Sequence, residues 1–176
     1  MSALSPSGIL KIGSAELEYR MIGPAPDKAP TIVMLHEGLG CVGLWGDFPE
    51  KIQAATGAGV FVYSRAGYGQ SSPAELPRQP DYMHVEALDV LPRILDAIGF
   101  RRGLLLGHSD GASIATIYAG GIQDHRVRGL ILIAPKPGSS PAKHWSRWAI
   151  RWEDARRFSR SRPPTQPIRG RDCDWP

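Results

Sequence analysis

The amino-acid sequence predicts an α/β fold with a largely parallel sheet and an N-terminal antiparallel hairpin. Short apolar runs, typical of strands buried on both faces, alternate along the chain with segments of helical spacing. The first two strand-like segments form the exception, because the second of them alternates apolar with polar side chains as a half-buried hairpin strand does. Strands that alternate with helices indicate βαβ units and therefore parallel pairing.

The hairpin is predicted over residues 9–12 and 16–22, with Gly13-Ser14 in the turn between them. In the second strand the apolar side chains fall at every second position, at Leu17, Tyr19 and Met21. A strand turns successive side chains to opposite faces, so these three are expected to point into the core.

Four strands and three helices are predicted after the hairpin. The strands lie at residues 31–35, 60–63, 103–106 and 129–134, and the helices at residues 49–56, 81–98 and 112–119. In the second helix a buried face is predicted from the helical spacing of Val85, Leu88, Leu91, Leu95 and Ile98. Pro92 is expected to kink or split this helix.

The pentapeptide Gly107-His108-Ser109-Asp110-Gly111 lies between an apolar strand and a helix of small residues. A serine on such a sharp strand-to-helix turn projects its hydroxyl above the sheet. Glycines flank the turn because the neighbouring backbones come too close for a Cβ atom. The pattern also arises by chance, so its position between strand and helix is what makes Ser109 a candidate nucleophile.

Two further segments follow strand ends. His36-Glu37-Gly38-Leu39-Gly40 comes after the third strand, and an Arg-x-Gly-x-Gly-x-Ser turn at residues 65–71 comes after the fourth. With the Ser109 turn after the fifth strand, these segments resemble the α/β-hydrolase family over residues 8–135. The resemblance implies a serine hydrolase that attacks the carbonyl carbon of a small ester or acyl substrate. It implies no cofactor and no metal.

The resemblance also implies an oxyanion site beside Ser109. The backbone N–H of Asp110 would be one donor to the developing oxyanion, and the N–H of Gly38 would be the other. Glu37 stands where the family commonly has glycine, and its side chain would either touch substrate or face water.

The remaining residues near Ser109 are expected to support the site. His36 would brace its loop by hydrogen bonding, and Arg65 would tie loops together at the mouth of the site. The side chains of His108 and Asp110 would point away from Ser109, because they are its neighbours on a sharp turn. Neither is expected to be the catalytic base or acid.

Residues 136–176 depart from the family pattern. They contain no Leu or Val, but four of the five tryptophans, eight arginines and six prolines. The family's last two strands do not fit this composition, and His144 precedes the acidic residues, which reverses the family's triad order. We therefore predict a hydrolase core over residues 1–135, a sheet truncated before its last two strands, and weak or absent turnover.

Several explanations of this basic tail stay open. A shifted reading frame would produce its composition and leave a non-catalytic, hydrolase-like fragment. Alternatively, the helical spacing of Trp145, Trp148 and Trp152, with Arg147 and Arg151 on another face, would suit an anionic membrane surface or a nucleic acid. We expect neither membrane nor nucleic acid as a partner, since short amphipathic patterns are common.

A dinucleotide site is the alternative for the loop after the third strand. Gly38, Gly40 and Gly43 satisfy a Gly-x-Gly-x-x-Gly pattern. His36-Glu37 separates the strand from the first glycine, however, and Pro49 delays the helix that should bind the pyrophosphate. The context that the motif requires is therefore missing, and no nucleotide cofactor is expected.

The bulk properties fit a cytoplasmic protein with one core. The 176 residues are 42% hydrophobic, and no window approaches the ~18 apolar residues of a membrane span.

The positive charge of the chain belongs to its C-terminal part. Residues 1–135 carry 11 Lys and Arg against 13 Asp and Glu, whereas residues 136–176 carry 10 Lys and Arg against 4 Asp and Glu. Cys41 and Cys173 form no disulfide framework or metal motif. The sequence leaves the oligomeric state open.

Overall fold

The computed structural model describes residues 4–135. Its six strands are β1 (Ser7–Ile12), β2 (Ala15–Ile22), β3 (Thr31–Leu35), β4 (Gly59–Tyr63), β5 (Gly103–His108) and β6 (Val127–Ile133). They form one sheet in the order β1-β2-β4-β3-β5-β6. Strands β4, β3, β5 and β6 run parallel, while β1 pairs antiparallel with β2, and β2 with β4. The predicted fold class is confirmed.

The N-terminal hairpin turns at Gly13, whose φ of 62° lies in the left-handed region that favours glycine. Its second strand buries Leu17, Tyr19 and Met21 and turns the intervening polar side chains the other way. The predicted alternation is therefore confirmed. Through β2 the hairpin extends the parallel sheet at the edge of β4.

Four helices pack on the two faces of the sheet. They are α1 (Phe48–Thr56), α2 (Tyr82–Val85), α3 (Leu91–Ala97) and α4 (Asp110–Gly121). The apolar side chains of α3 and α4 join one buried cluster, and those of α1 pack against the cluster on the opposite face. Strands β3 and β4 are buried along their whole length between these layers, as their continuous apolar sequence predicts.

The helical segment before β5 differs from its prediction. Val85 and Leu88 are 45% and 37% exposed, although their spacing predicts a place in the core. A π turn, Glu86–Val90, joins α2 to α3, and within it the N–H of Leu91 donates to the carbonyl of Glu86, five residues back. The extra residue rotates the helix, so the spacing of the first half no longer matches that of the second. The interruption falls directly before Pro92, which lacks an N–H to continue an α-helix.

The loop after β3 does not lead directly into an α-helix. A 3₁₀ turn, Val42–Trp45, is followed by Gly46 at a φ of 54°, and α1 begins only at Phe48. The glycine pattern at residues 38–43 therefore lacks the strand–turn–helix context that a dinucleotide site requires.

The predictions for residues 136–176 lie outside the described residues. They include His144, Cys173, the tryptophan-rich helical spacing and the limits of the hydrolase core.

Candidate active site

Ser109 occupies the turn between β5 and α4. Its φ of 51° and ψ of −111° lie in a region that non-glycine residues rarely adopt. Such a conformation costs on the order of 1–3 kcal/mol and persists only where the surrounding structure imposes it. The N–H of Ser109 is fixed by a hydrogen bond of 2.8 Å to the carbonyl of Ile133, at the end of β6.

The flanking glycines make this turn sterically feasible. A Cβ atom on Gly107 would overlap the carbonyl of Gly111, and one on Gly111 would overlap the carbonyl of Leu35 at the end of β3. Both obstacles are backbone atoms, which cannot move aside as a flexible side chain can. The α4 helix therefore starts immediately beside β3, with Ser109 above the sheet.

His36 is buried in the loop after β3, and both of its ring nitrogens have partners. Its Nε2 lies 3.0 Å from the backbone nitrogen of Arg65, and its Nδ1 lies 2.6 Å from the carbonyl oxygen of Glu37. Because a carbonyl only accepts, Nδ1 carries the proton and Nε2 accepts the Arg65 N–H. Burial, followed by the charge of Arg65, lowers the pKa of His36 to about 3. The imidazole is therefore neutral near pH 7.

Arg65 joins the end of β4 to the loop after β3. Its side chain is 1% exposed, and its Nη1 and Nη2 donate to the carbonyls of His36 and Glu37 at 2.8 and 2.9 Å. The guanidinium also lies 5.4 Å from the centre of the Tyr68 ring. Two parallel donors from one planar group hold the two consecutive carbonyls in a fixed orientation.

Gly38 and Asp110 lie side by side. A Cβ atom on Gly38 would approach Asp110 Oδ2 to 2.9 Å, so a glycine is needed there. Asp110 is 2% exposed, and the hydroxyl of Tyr82 donates to its Oδ2 at 2.5 Å. The Asp110 side chain thus points toward α2 and the loop of residues 36–40, which we call the oxyanion loop after the role that the resemblance implies for it.

A cavity of about 220 Å³ lies beside the loop after β3 and reaches His108 at the end of β5, without Ser109 among the residues that line it. Its wall includes Glu37, Cys41, Leu44, Trp45 and His108. Among residues 4–135, the carboxylate of Glu37 has no hydrogen bond or ion pair. The side chain of Glu37 therefore lies at a cavity wall with its charge available to a bound molecule or to water.

Sequence reasoning missed two residues whose hydrogen bonds fix this arrangement, Tyr82 and Ser64. Tyr82 carried no signal, because a tyrosine at the start of a helix is ordinary. Ser64 was overlooked inside the turn that follows β4, although its hydroxyl donates to Glu18 and accepts the N–H of Val42. A serine between a buried strand and a buried arginine could have been singled out, since buried hydroxyls require partners.

The described residues offer no obvious metal centre. Within residues 4–135, no three His, Cys, Asp or Glu side chains converge as ligands of one ion would. Across the same range, every helix is too short or too polar to cross a membrane.

Comparisons with curated proteins match this chain to known hydrolases. Over 137 residues it is 28% identical to the proline iminopeptidase of Lactobacillus delbrueckii subsp. bulgaricus, a match that covers 78% of this chain and 45% of the relative. Over 109 residues it is 33% identical to the (lyso)-N-acylphosphatidylethanolamine lipase of Bos taurus, covering 62% of this chain and 31% of the relative. The chain thus spans less than half the length of these relatives.

Solved structures share the fold. An alpha/beta hydrolase fold protein from Chitinophaga pinensis matches with a TM-score of 0.60 and 22% identity, covering 74% of this chain and 44% of that one. A proline iminopeptidase-related protein from Thermus thermophilus matches with a TM-score of 0.57 and 30% identity, covering 73% and 44%. The family model described as alpha/beta hydrolase fold matches residues 30–166. With its sheet order and Ser109 turn, this chain belongs to the alpha/beta hydrolase fold family.

Proposed function

We propose that this protein is a serine-type acyl hydrolase in which the Ser109 hydroxyl attacks the carbonyl carbon of a small ester or related acyl substrate. The strained backbone of Ser109, held between β5 and α4, is the observation that carries the proposal. Strain of this kind is retained where the neighbouring structure imposes it, and it lifts the side chain clear of the sheet. The relatives include a peptidase and a lipase by name, so we propose that the substrate carries an acyl group and do not specify its leaving group.

The backbone N–H groups of Gly38 and Asp110 are proposed to bind the oxyanion that forms when Ser109 attacks. The close approach of Gly38 to Asp110 supports this assignment, because it brings the oxyanion loop against the start of α4. A donor of this kind is typically worth ~3 kcal/mol of transition-state stabilisation. We propose that Arg65 and His36 support the donors by fixing the carbonyls and backbone of the loop.

We further propose that turnover by this chain is weak, because none of the histidines within residues 4–135 hydrogen-bonds the Ser109 hydroxyl. His36 is excluded as the base, since its Nε2 already accepts the Arg65 N–H and its low pKa makes it a weak proton acceptor. Without a general base, a serine hydroxyl is a poor nucleophile. The oxyanion donors alone would still leave residual reactivity toward strongly activated acyl and phosphonyl reagents.

A non-catalytic member of the family is the second candidate. It is favoured by the same bonds of His36, which leave neither ring nitrogen of that imidazole free to accept the Ser109 proton. In that case the cavity beside Glu37 would bind a molecule without cleaving it.

Labelling with a fluorophosphonate probe distinguishes the two candidates. The purified full chain is incubated with the probe, and the modified residue is identified by mass spectrometry. We expect labelling at Ser109 that is lost in Ser109→Ala and kept in Ser14→Ala, a control at an exposed turn serine. Absence of labelling in the folded wild type would favour the non-catalytic candidate, and rapid turnover of p-nitrophenyl acetate would refute the weak-turnover part of the proposal.

A further inference from the structure

The carboxylate of Glu18, a half-buried residue of β2, lies against the turn that follows β4. Its Oε2 accepts the hydroxyl of Ser64 at 2.7 Å and the backbone N–H of Gln70 at 3.1 Å. The backbone of Glu18 binds the same turn, since its carbonyl accepts the N–H of Ser64 and its N–H donates to the hydroxyl of Ser71. Four hydrogen bonds therefore fix Glu18 against this turn.

The Ser64 hydroxyl connects this carboxylate to the loop after β3. A backbone N–H only donates, so the Ser64 oxygen accepts the N–H of Val42 at 2.9 Å and donates its own proton to Glu18. Val42 is buried and opens the 3₁₀ turn, and the first N–H groups of a helix find no acceptor within it. Ser64 thus caps the 3₁₀ turn from the end of β4.

Gly69 shows how closely the turn after β4 surrounds this pair. A Cβ atom on Gly69 would overlap Oε2 of Glu18 and would lie 2.6 Å from Oγ of Ser64. To make room, either atom would have to leave its hydrogen bonds. A glycine at this position therefore allows the backbone to pass directly over the hydrogen bond between Glu18 and Ser64.

Ser64 and Arg65, two consecutive residues, hold the oxyanion loop and the segment just after it at two points. Arg65 donates to two consecutive carbonyls at the start of the loop, at 2.8 and 2.9 Å, and Ser64 accepts the N–H of Val42 beyond its end. Only residues 38–41 lie between these points, and Gly38 is one of them. A displacement of Val42 is therefore transmitted through a short segment to the N–H of Gly38.

The same hydrogen bonds support one wall of the neighbouring cavity. The 3₁₀ turn that Val42 opens carries Leu44 and Trp45, and both side chains line the cavity of about 220 Å³. A shift of the turn would move this wall together with the loop.

We infer that Glu18 is a positioning residue for the oxyanion loop and that it acts through Ser64. Its carboxylate orients the Ser64 hydroxyl, which holds Val42 and so the segment that carries Gly38. The N-terminal hairpin thereby contributes to the geometry of the candidate active site. The inference rests on the proposed function only where it assigns the Gly38 N–H to oxyanion binding.

The test compares Glu18→Ala with Glu16→Ala, a control that removes a carboxylate from the same strand. The side chain of Glu16 is 55% exposed and pairs with Lys11 at 3.4 Å. Labelling of Ser109 by the fluorophosphonate should slow in Glu18→Ala by up to about a hundredfold, the cost of a misplacement of ~1 Å at a reacting site. Glu16→Ala should label within about twofold of wild type, the range of a surface change.

Two further variants test whether Glu18 acts as a hydrogen-bond acceptor for Ser64. Glu18→Gln should label close to the wild-type rate, because its amide oxygen still accepts both hydrogen atoms. The double variant Glu18→Ala/Ser64→Ala should label as slowly as Ser64→Ala alone, since substitutions within one network are not additive. Additive slowing would show that Glu18 acts by another route and would overturn the inference.

Amide hydrogen exchange, measured by NMR, follows the same variants without requiring activity. The N–H of Val42 should exchange slowly in wild type and faster in Glu18→Ala and Ser64→Ala. This acceleration should exceed that of the Leu105 amide in β5, because a general loss of stability would affect both amides alike. The amide resonance of Gly38 should shift in Glu18→Ala and keep its position in Glu18→Gln.

The positioning role is supported if labelling slows in Glu18→Ala, recovers in Glu18→Gln and is accompanied by selective exchange at Val42. Labelling of Glu18→Ala equal to that of Glu16→Ala overturns it. Labelling of Glu18→Gln as slow as that of Glu18→Ala overturns it as well, and so does equal acceleration at Val42 and Leu105.

The failure of the proposed function has a different signature. If folded wild type is not labelled at all, the serine hydrolase proposal fails, and the exchange of Val42 with the shift of Gly38 decides whether Glu18 positions the loop. If Glu18→Ala does not fold, a fast-exchanging Val42 N–H in wild type overturns the inference. Slow exchange in wild type that is lost selectively in Ser64→Ala supports it.

Discussion

The backbone N–H of Arg65 donates a hydrogen bond to Nε2 of His36 at 3.0 Å, and this bond determines what the imidazole can do. It occupies the nitrogen that would otherwise accept a proton. It also links the first residue after β3 to the end of β4, which are adjacent parallel strands. His36 is therefore a structural bridge between two loops, and its neutral form is the one that the fold requires.

The first prediction is that acid weakens the fold through His36. The pKa of His36 falls from its ordinary 6.5 to about 3 on folding, so between these values the unfolded chain binds more protons. The stabilisation is complete above pH 6.5 and declines as the pH falls toward 3. Relative to His36→Asn, which cannot titrate, wild type should lose about 2 kcal/mol of unfolding free energy between pH 7 and pH 5. Urea titrations at the two pH values measure this difference.

The control for this titration is His125→Asn, because His125 is exposed. Its unfolding free energy should follow the wild-type pH dependence. A wild-type advantage over His36→Asn that stays constant from pH 7 to pH 5 would mean that His36 is not held neutral by the fold.

The second prediction concerns the two bonds from Arg65 to the loop carbonyls. A lysine keeps the charge but cannot present two parallel donors to His36 and Glu37. Arg65→Lys should therefore lower the free energy of unfolding by about 1–3 kcal/mol, since buried carbonyls lose partners. Chemical denaturation measures the loss, with Arg101→Lys at an exposed position as the matched control. Equal stability of the two variants would show that the bonds contribute nothing net.

Much of the fold was predictable because its signals are local. The apolar run at residues 31–35 matches β3 at both ends, and the alternation of Leu17, Tyr19 and Met21 matches the buried face of β2. The glycines around Ser109 were informative for the same reason, as a backbone contact at those positions excludes any Cβ atom.

The structural features that the sequence did not predict depend on residues that lie far apart along the chain or on a local change in helix geometry. The exposure of Val85 and Leu88 follows from a π turn, and periodicity cannot show where a helix gains a residue. Tyr82 becomes informative only once Asp110 lies beside it. Long-range polar contacts of this kind produce no regular spacing of residues by which the sequence could predict them.

The third prediction is that Tyr82 holds the Asp110 carboxylate. The hydroxyl of Tyr82 donates to this buried group at 2.5 Å, and hydrogen bonds to charged groups contribute roughly 1.5–3 kcal/mol. Tyr82→Phe should lower stability by an amount in this range and slow Ser109 labelling. Tyr68→Phe is the matched control, because it also removes a hydroxyl but keeps a ring that packs on His36. Tyr82→Phe should unfold at a lower temperature and label more slowly than Tyr68→Phe. Equal values for the two variants would show that Tyr82 does not hold the Asp110 carboxylate.

The last prediction separates two glycines of the same segment. A Cβ on Gly38 would approach Asp110 Oδ2 to 2.9 Å, whereas a Cβ on Gly43 would meet only Cys41 Sγ at 3.8 Å. The Asp110 carboxylate cannot retreat freely, because it is buried and bonded to Tyr82. Gly38→Ala should therefore push the oxyanion loop away from α4 and slow Ser109 labelling by up to about a hundredfold, the lower end of the range for loss of an oxyanion donor. Gly43→Ala should label at the wild-type rate, since its new methyl group makes an ordinary van der Waals contact. If both alanine variants label equally fast, Gly38 does not set the distance between the oxyanion loop and the Ser109 turn.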